Sequence, residues 1–225
     1  MDIKSLLVIS FGVAVAGLML SFAAARRMIQ LCRGLAEVPL YRPLPDSPLP
    51  RAVRRFFEER SAALLGLGFL PCGDYRPRLE IAHYCRLFVD PTGTIACELA
   101  YLQGMLWKRY RVTGFFSLLE NLDCAETSDL VIPPLDGQLV TRGISRASAG
   151  ELLAAHRELV SALQVERRVA PVELAAGDLP LVAVYLAALM HEYLVATGRR
   201  DHNAFAATFP QIRAAVERLV PEPVS

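Results

Sequence analysis

The sequence predicts an α+β protein: an N-terminal transmembrane helix, then a helix, an antiparallel sheet of about five or six strands, and C-terminal helices packed on it. Three observations predict it. Residues 5–25 form an uncharged apolar run that stops at Arg26 and Arg27. Residues 79–141 are short apolar runs broken by Pro-Thr-Gly and Asp-Gly turn sequences. From Ser148 onward the apolar residues recur at helical spacing behind capping residues.

The first run has about 21 residues, which at ~1.5 Å rise per residue gives about 31 Å, close to the ~30 Å of bilayer hydrocarbon. Arg26, Arg27 and Arg33 flank its C-terminal end, against Lys4 and the α-amino group on the other side. The positive-inside rule then places a single-pass helix in the cell (inner) membrane, with the N-terminus outside and the domain cytoplasmic. The alternative is export after signal cleavage near Ala25, where Ala23-Ala24-Ala25 offers small residues; the long apolar run and the arginines directly after it argue against this. Ser10, Ala14, Gly17 and Ser21 fall on one helical face, and small residues in a stripe let a second helix approach closely. The expected partners are therefore the lipid bilayer and another transmembrane helix, of the same chain or a different one.

Residues 1–34 make the anchor with its juxtamembrane helix end, and residues 35–50 a proline-rich spacer. Pro39, Pro43, Pro45, Pro48 and Pro50 favour extended polyproline II, a semi-rigid tether or, alternatively, a ligand for an SH3-type domain. Residues 51–220 form the cytoplasmic domain and 221–225 a frayed tail.

In the domain, residues 51–65 place Val53, Phe56, Phe57 and Leu64 on one side of a helix and charged residues on the other, with Gly66 as its cap and Gly68 as a sharp exit. Residues 79–89 and 95–102 flank Asp90-Pro91-Thr92-Gly93-Thr94, which predicts a three-residue hairpin loop closed by Asp90 and Thr94. That register sets Cys85 against Leu99, His83 against Tyr101 and Arg86 against Glu98. Residues 105–119 give a further strand or strand pair, with Gly114 as a bulge or bend. Residues 130–132 and 139–141 bracket another turn. Ser148 and Glu151 form a capping box for a helix carrying Leu152, His156, Leu159, Val160 and Leu163. Asp178 caps an apolar helix to about Thr197, buried in the domain or lying against the membrane, and Thr208-Phe209-Pro210-Gln211 starts the last helix.

Composition excludes some functions. The chain is 53% hydrophobic with a formal net charge of +1 and a mean hydropathy of +0.33. Asp2 and Lys4 cancel, so the part beyond the anchor shows no basic excess and no nucleic acid is expected. Five cysteines (Cys32, Cys72, Cys85, Cys97, Cys124) include no C-x-x-C pair and are odd in number. They predict reduced thiols used as apolar fillers, with neither a disulfide framework nor a zinc site of ordinary spacing.

Chemistry has few local signatures. His191-Glu192 starts a metalloprotease-like helix motif, but Val195 stands where the second His is required. His191, Glu192, Asp201 and His202 make at most an improvised cluster, or simply a charged helix end and loop. His83 and Cys85 lie two apart on one strand face, a Cys–His pair or, more simply, core residues with His83 bonded to Tyr101 or backbone. No catalytic residues and no cofactor are assigned. The sequence thus points to a membrane-anchored, non-enzymatic interaction module, such as an accessory subunit of a membrane complex. The alternatives are a lipid or small-ligand binding domain and an enzyme with a non-local site.

Overall fold

The computed structural model describes residues 41–44, 49–77, 83–103, 109–130, 135–197 and 205–221. The expected transmembrane helix, its face of Ser10, Ala14, Gly17 and Ser21, and the arginines expected to orient it, Arg26, Arg27 and Arg33, lie outside the described residues, as do Asp201 and His202.

The domain is α+β, as its sequence predicts. Among the described residues its sheet holds seven strands in sequential order: β1 (Tyr41–Pro43), β2 (Leu70–Pro77), β3 (His83–Val89), β4 (Ala96–Gln103), β5 (Arg109–Leu118), β6 (Cys124–Ser128) and β7 (Leu139–Gly143). All neighbours pair antiparallel except β6 and β7, which are parallel. The sheet is therefore mixed and larger than the expected five or six antiparallel strands. Strand β7 runs parallel to β6, with Leu139 opposite Cys124; residues 131–134, which hold part of the predicted strand and turn before it, lie outside the described residues. Tyr41–Pro43, within the stretch expected to be a spacer, is the edge strand. An edge is where a sheet tolerates proline.

Four described helices cover the sheet: α1 (Arg51–Gly66), α2 (Ala149–Arg167), α3 (Leu179–Ala196) and α4 (Phe205–Glu217). They occupy both faces. On one, Phe56, Phe57 and Leu64 of α1 and Leu152 and Leu153 of α2 pack on Phe88, Cys97, Leu99 and Phe115. On the other, Leu179, Val182, Tyr185 and Leu189 of α3, with Phe209 and Val216 of α4, pack on Leu87, Phe116, Leu118, Cys124 and Leu139. Helix α3, with a mean hydropathy of 1.7, is long and apolar enough to cross a membrane, yet half of it is buried inside the fold. A core helix meets the same length and composition test.

The helix ends show which local signals are used. The capping box is present: Glu151 N–H donates to Ser148 Oγ, and the Glu151 carboxylate accepts from Ser148 N–H. At the end of α1 the left-handed position is Gly68 (φ +89°), not Gly66. The Phe69 and Gly68 amides bond to the Leu64 and Leu65 carbonyls, a complete Schellman motif. Asp178 does stand at the N-cap of α3, but it makes no capping bond there and its carboxylate accepts the Ala175 N–H instead. Helix α4 starts before the predicted Thr208 and holds Pro210 inside it.

The β3–β4 hairpin differs by one residue from the predicted register. Asp90 pairs through its backbone with Ile95, not Thr94, giving a four-residue loop. The Asp90 side chain stabilises this longer loop, with Oδ1 accepting the Ile95 N–H and Oδ2 the Thr92 hydroxyl. Cys85 therefore opposes Ala100, His83 opposes Leu102, and Arg86 opposes Leu99. A slip of one residue moves every side chain to the other face, so Arg86 and Glu98 stand on opposite sides of the sheet. Gly114 sits in an unbroken ladder between Glu98 and Ser128 and is not a bulge.

Gly93 keeps the left-handed conformation (φ +74°). A Cβ there would lie 2.8 Å from Glu173 Cγ and 3.1 Å from the Leu174 carbonyl oxygen. Gly93→Ala is expected to lower stability by about 1–3 kcal/mol, combining backbone strain with this contact. Gly137→Ala, where nothing lies within 4 Å, is expected to stay within about 0.5 kcal/mol. Denaturant unfolding of the two variants side by side measures the difference.

Candidate functional site

The corrected register brings a set of polar side chains to one face of the sheet at its β1 side. Alternation along β3 points His83 and Cys85 to that face, and β4 sends Glu98 to it from the strand alongside. Cys85 is fully buried and His83 is 9% exposed. The Glu98 side chain keeps 23% of its surface exposed. Cys85 Sγ lies 3.0 Å from His83 Nε2, and that nitrogen lies 4.0 Å from Glu98 Oε1. The three donor atoms all fall within 4.8 Å of one another. The Tyr41 hydroxyl, arriving from the edge strand, donates to Glu98 Oε1 at 3.0 Å.

Burial controls the electrostatics here. Loss of hydration pushes the His83 imidazole down to about 4, and it raises the Cys85 thiol well above its ordinary value, with the Glu98 charge adding to the rise. The Glu98 carboxyl is also raised by burial, opposed by its hydrogen bonds. Glu126, on β6 opposite Phe116, is raised to about 7 by burial and then by the Glu98 charge. His83 and Cys85 are thus a neutral imidazole and a protonated thiol. A thiolate–imidazolium nucleophile needs both shifts in the reverse direction, so the Cys–His pair is not set for nucleophilic attack.

Among the described residues, this is the group of His, Cys, Asp and Glu side chains close enough to share a metal ion. It unites two sequence-predicted residues, His83 and Cys85, with one placed on the wrong face, Glu98. His83 is not bonded to Tyr101, which lies on the other face with α1. His191 is buried in α3, while Glu192 lines a shallow open cleft of about 220 Å³ with Leu135, Leu139, Leu189 and Tyr193. Neither belongs to the His83 group. Tyr41 and Glu126 escaped sequence reasoning. Glu98 carried a signal, as the lone charged residue in the apolar run Ala96-Cys97-Glu98-Leu99-Ala100.

His156 is also buried, as a core residue. His156 accepts or donates at both ring nitrogens, 3.0 Å from Ser117 Oγ and 3.2 Å from Thr127 Oγ1, and is fully enclosed. Cys72, Cys85, Cys97 and Cys124 are free thiols.

No protein-family model, curated protein or solved structure matches this chain.

Proposed function

We propose that this chain is a membrane-anchored interaction module: a single helix holds a cytoplasmic α+β domain at the inner membrane and docks against a second transmembrane helix. The observation that carries it is the uncharged run of residues 5–25 ending in Arg26-Arg27, with Ser10, Ala14, Gly17 and Ser21 on one face. The edge strand β1 supports it from the domain side, because the sheet begins only about 15 residues beyond those arginines. The domain is thereby held close to the bilayer surface.

Leucine at small-residue positions holds the two backbones apart, and a loss of about 1.4 kcal/mol is a tenfold change in association. Ala14→Leu with Gly17→Leu is expected to lower the recovery of the partner by about that factor when the tagged full chain is purified in mild detergent. The partner is either a second copy, seen as a cross-linked dimer, or another membrane protein. Undiminished recovery with the double variant, or a monomer in several detergents, ends the proposal.

The cleft beside α3 favours a second reading, a small-ligand site. At about 220 Å³ and open to solvent, it falls below the range of drug-sized pockets, so it ranks behind the interaction role.

A further inference from the structure

We propose that His83, Cys85 and Glu98 hold a single zinc-type divalent ion on the sheet face beside β1, oriented by Tyr41. The donor set is one thiolate, one imidazole and one carboxylate, with a water completing a tetrahedron. Sulfur and nitrogen donors select zinc and its borderline neighbours over magnesium or calcium, which take oxygen ligands.

The geometry needs only small movements. With Zn–S of about 2.3 Å and Zn–N and Zn–O of about 2.0–2.1 Å, tetrahedral angles set S···N near ~3.6 Å and N···O near ~3.4 Å. The Sγ···Nε2 separation of 3.0 Å must open slightly and the Nε2···Oε1 separation of 4.0 Å must close slightly. Rotation of the partly exposed Glu98 side chain supplies the second movement. Binding releases the Cys85 proton to solvent and forms the metal–sulfur bond, while Nε2 gives the metal the lone pair it now directs at the thiol. One thiolate and one carboxylate then neutralise the dication, so the loaded site carries no net charge on a desolvated face.

Contrast with His156 shows why these groups are not simply core. His156 has hydroxyl partners at both nitrogens. His83 has only a thiol at Nε2, and its buried Nδ1 has no hydrogen-bond partner. A buried polar ring this poorly bonded is costly as packing, and its lone pair is suited to ligation. Tyr41 supplies the supporting bond, fixing the Glu98 oxygen nearest His83.

The test is titration of the reduced, metal-stripped full chain in detergent with Co²⁺, followed by Zn²⁺. One equivalent of cobalt is expected to give a thiolate-to-metal charge-transfer absorption that zinc bleaches. Cys85→Ser should abolish that band, and His83→Ala and Glu98→Gln should weaken binding by about 100-fold or more. Tyr41→Phe, which leaves all three ligands in place, should weaken it by about 10–100-fold. Cys97→Ser, on the opposite face of the sheet, should leave it unchanged. Circular dichroism identifies any ligand variant that fails to fold; the wild-type band and Tyr41→Phe then carry the test. Absence of the band in the wild type, its survival in Cys85→Ser, or its loss in Cys97→Ser overturns the proposal.

Discussion

Replacing Arg86 with methionine is expected to cost about 2–4 kcal/mol of stability, with the loss coupled to Asp74 and not to Glu98. The Arg86 guanidinium makes a two-pronged pair with the Asp74 carboxylate across β2 and β3, its Nη2 at 2.8 Å from Oδ2. It also donates to Ser61 Oγ at 3.2 Å and lies 5.0 Å from the centre of the Phe57 ring. Both charged side chains are about three-quarters buried, at 25% and 22% exposure. Removing the cation leaves Asp74 partly desolvated with no countercharge, and one broken buried pair typically costs several kcal/mol. Arg86→Lys is expected to recover only part of the loss, because an ammonium cannot form the planar fork or lie flat on Phe57.

A double-mutant cycle locates the partner. Arg86→Met with Asp74→Asn should show a coupling of about 1–3 kcal/mol, and Arg86→Met with Glu98→Gln less than about 0.5 kcal/mol. The reverse ranking would mean that the β3–β4 loop has three residues and that the ladder is shifted by one. In that case Glu98 also leaves the face of His83 and Cys85, so the cycle tests the frame on which the site depends.

What could be read from the sequence depended on how local the determining interactions are. The capping box, the left-handed Gly93 and the buried stripe of α2 are encoded within a few residues, and all are present. Strand β2 was not legible because Pro71, Gly73, Asp74 and Pro77 look like loop chemistry; it is held by pairing with β3 and by the Asp74–Arg86 bond. Strand β6 was hidden for a similar reason, its Glu126, Thr127 and Ser128 being polar residues drawn into the sheet by their neighbours.

The hairpin shows the limit for the site. Pro-Thr-Gly marks a turn, but three- and four-residue loops share that signal, and the choice rests on the Asp90 carboxylate reaching the Ile95 amide. That single bond decides which face Glu98 takes. Two of the three site residues were thus visible from their spacing on one strand, while the third depended on a register that no local rule resolves. Tyr41 reaches the group from more than 50 residues away, across two intervening strands.

Acidification is expected to destabilise the wild type relative to His156→Gln by about 1.4 kcal/mol per pH unit below pH ~6.5, reaching about 2–3 kcal/mol by pH 4.5. His156 is held at about 3 by burial and then by the Arg142 charge, against an ordinary value of 6.5. Between those values the unfolded chain takes up a proton that the folded chain refuses. Its contribution is therefore complete above pH ~6.5 and declines as pH falls. Metal-free His83, held at about 4, acts with the same sign. Glu126 acts oppositely: raised to about 7, it protonates in the folded state before the unfolded one, adding stability as pH falls from about 7 toward 4.5. Glu98, also raised, works in that direction too. These opposing groups flatten the wild-type curve, which is why the difference from His156→Gln isolates the histidine where the absolute slope does not. Urea unfolding of both proteins with a chelator present, at intervals from pH 7.5 to 4.5, gives that difference directly. Parallel curves would show that the ring titrates normally, which is incompatible with an imidazole sealed between Ser117 and Thr127.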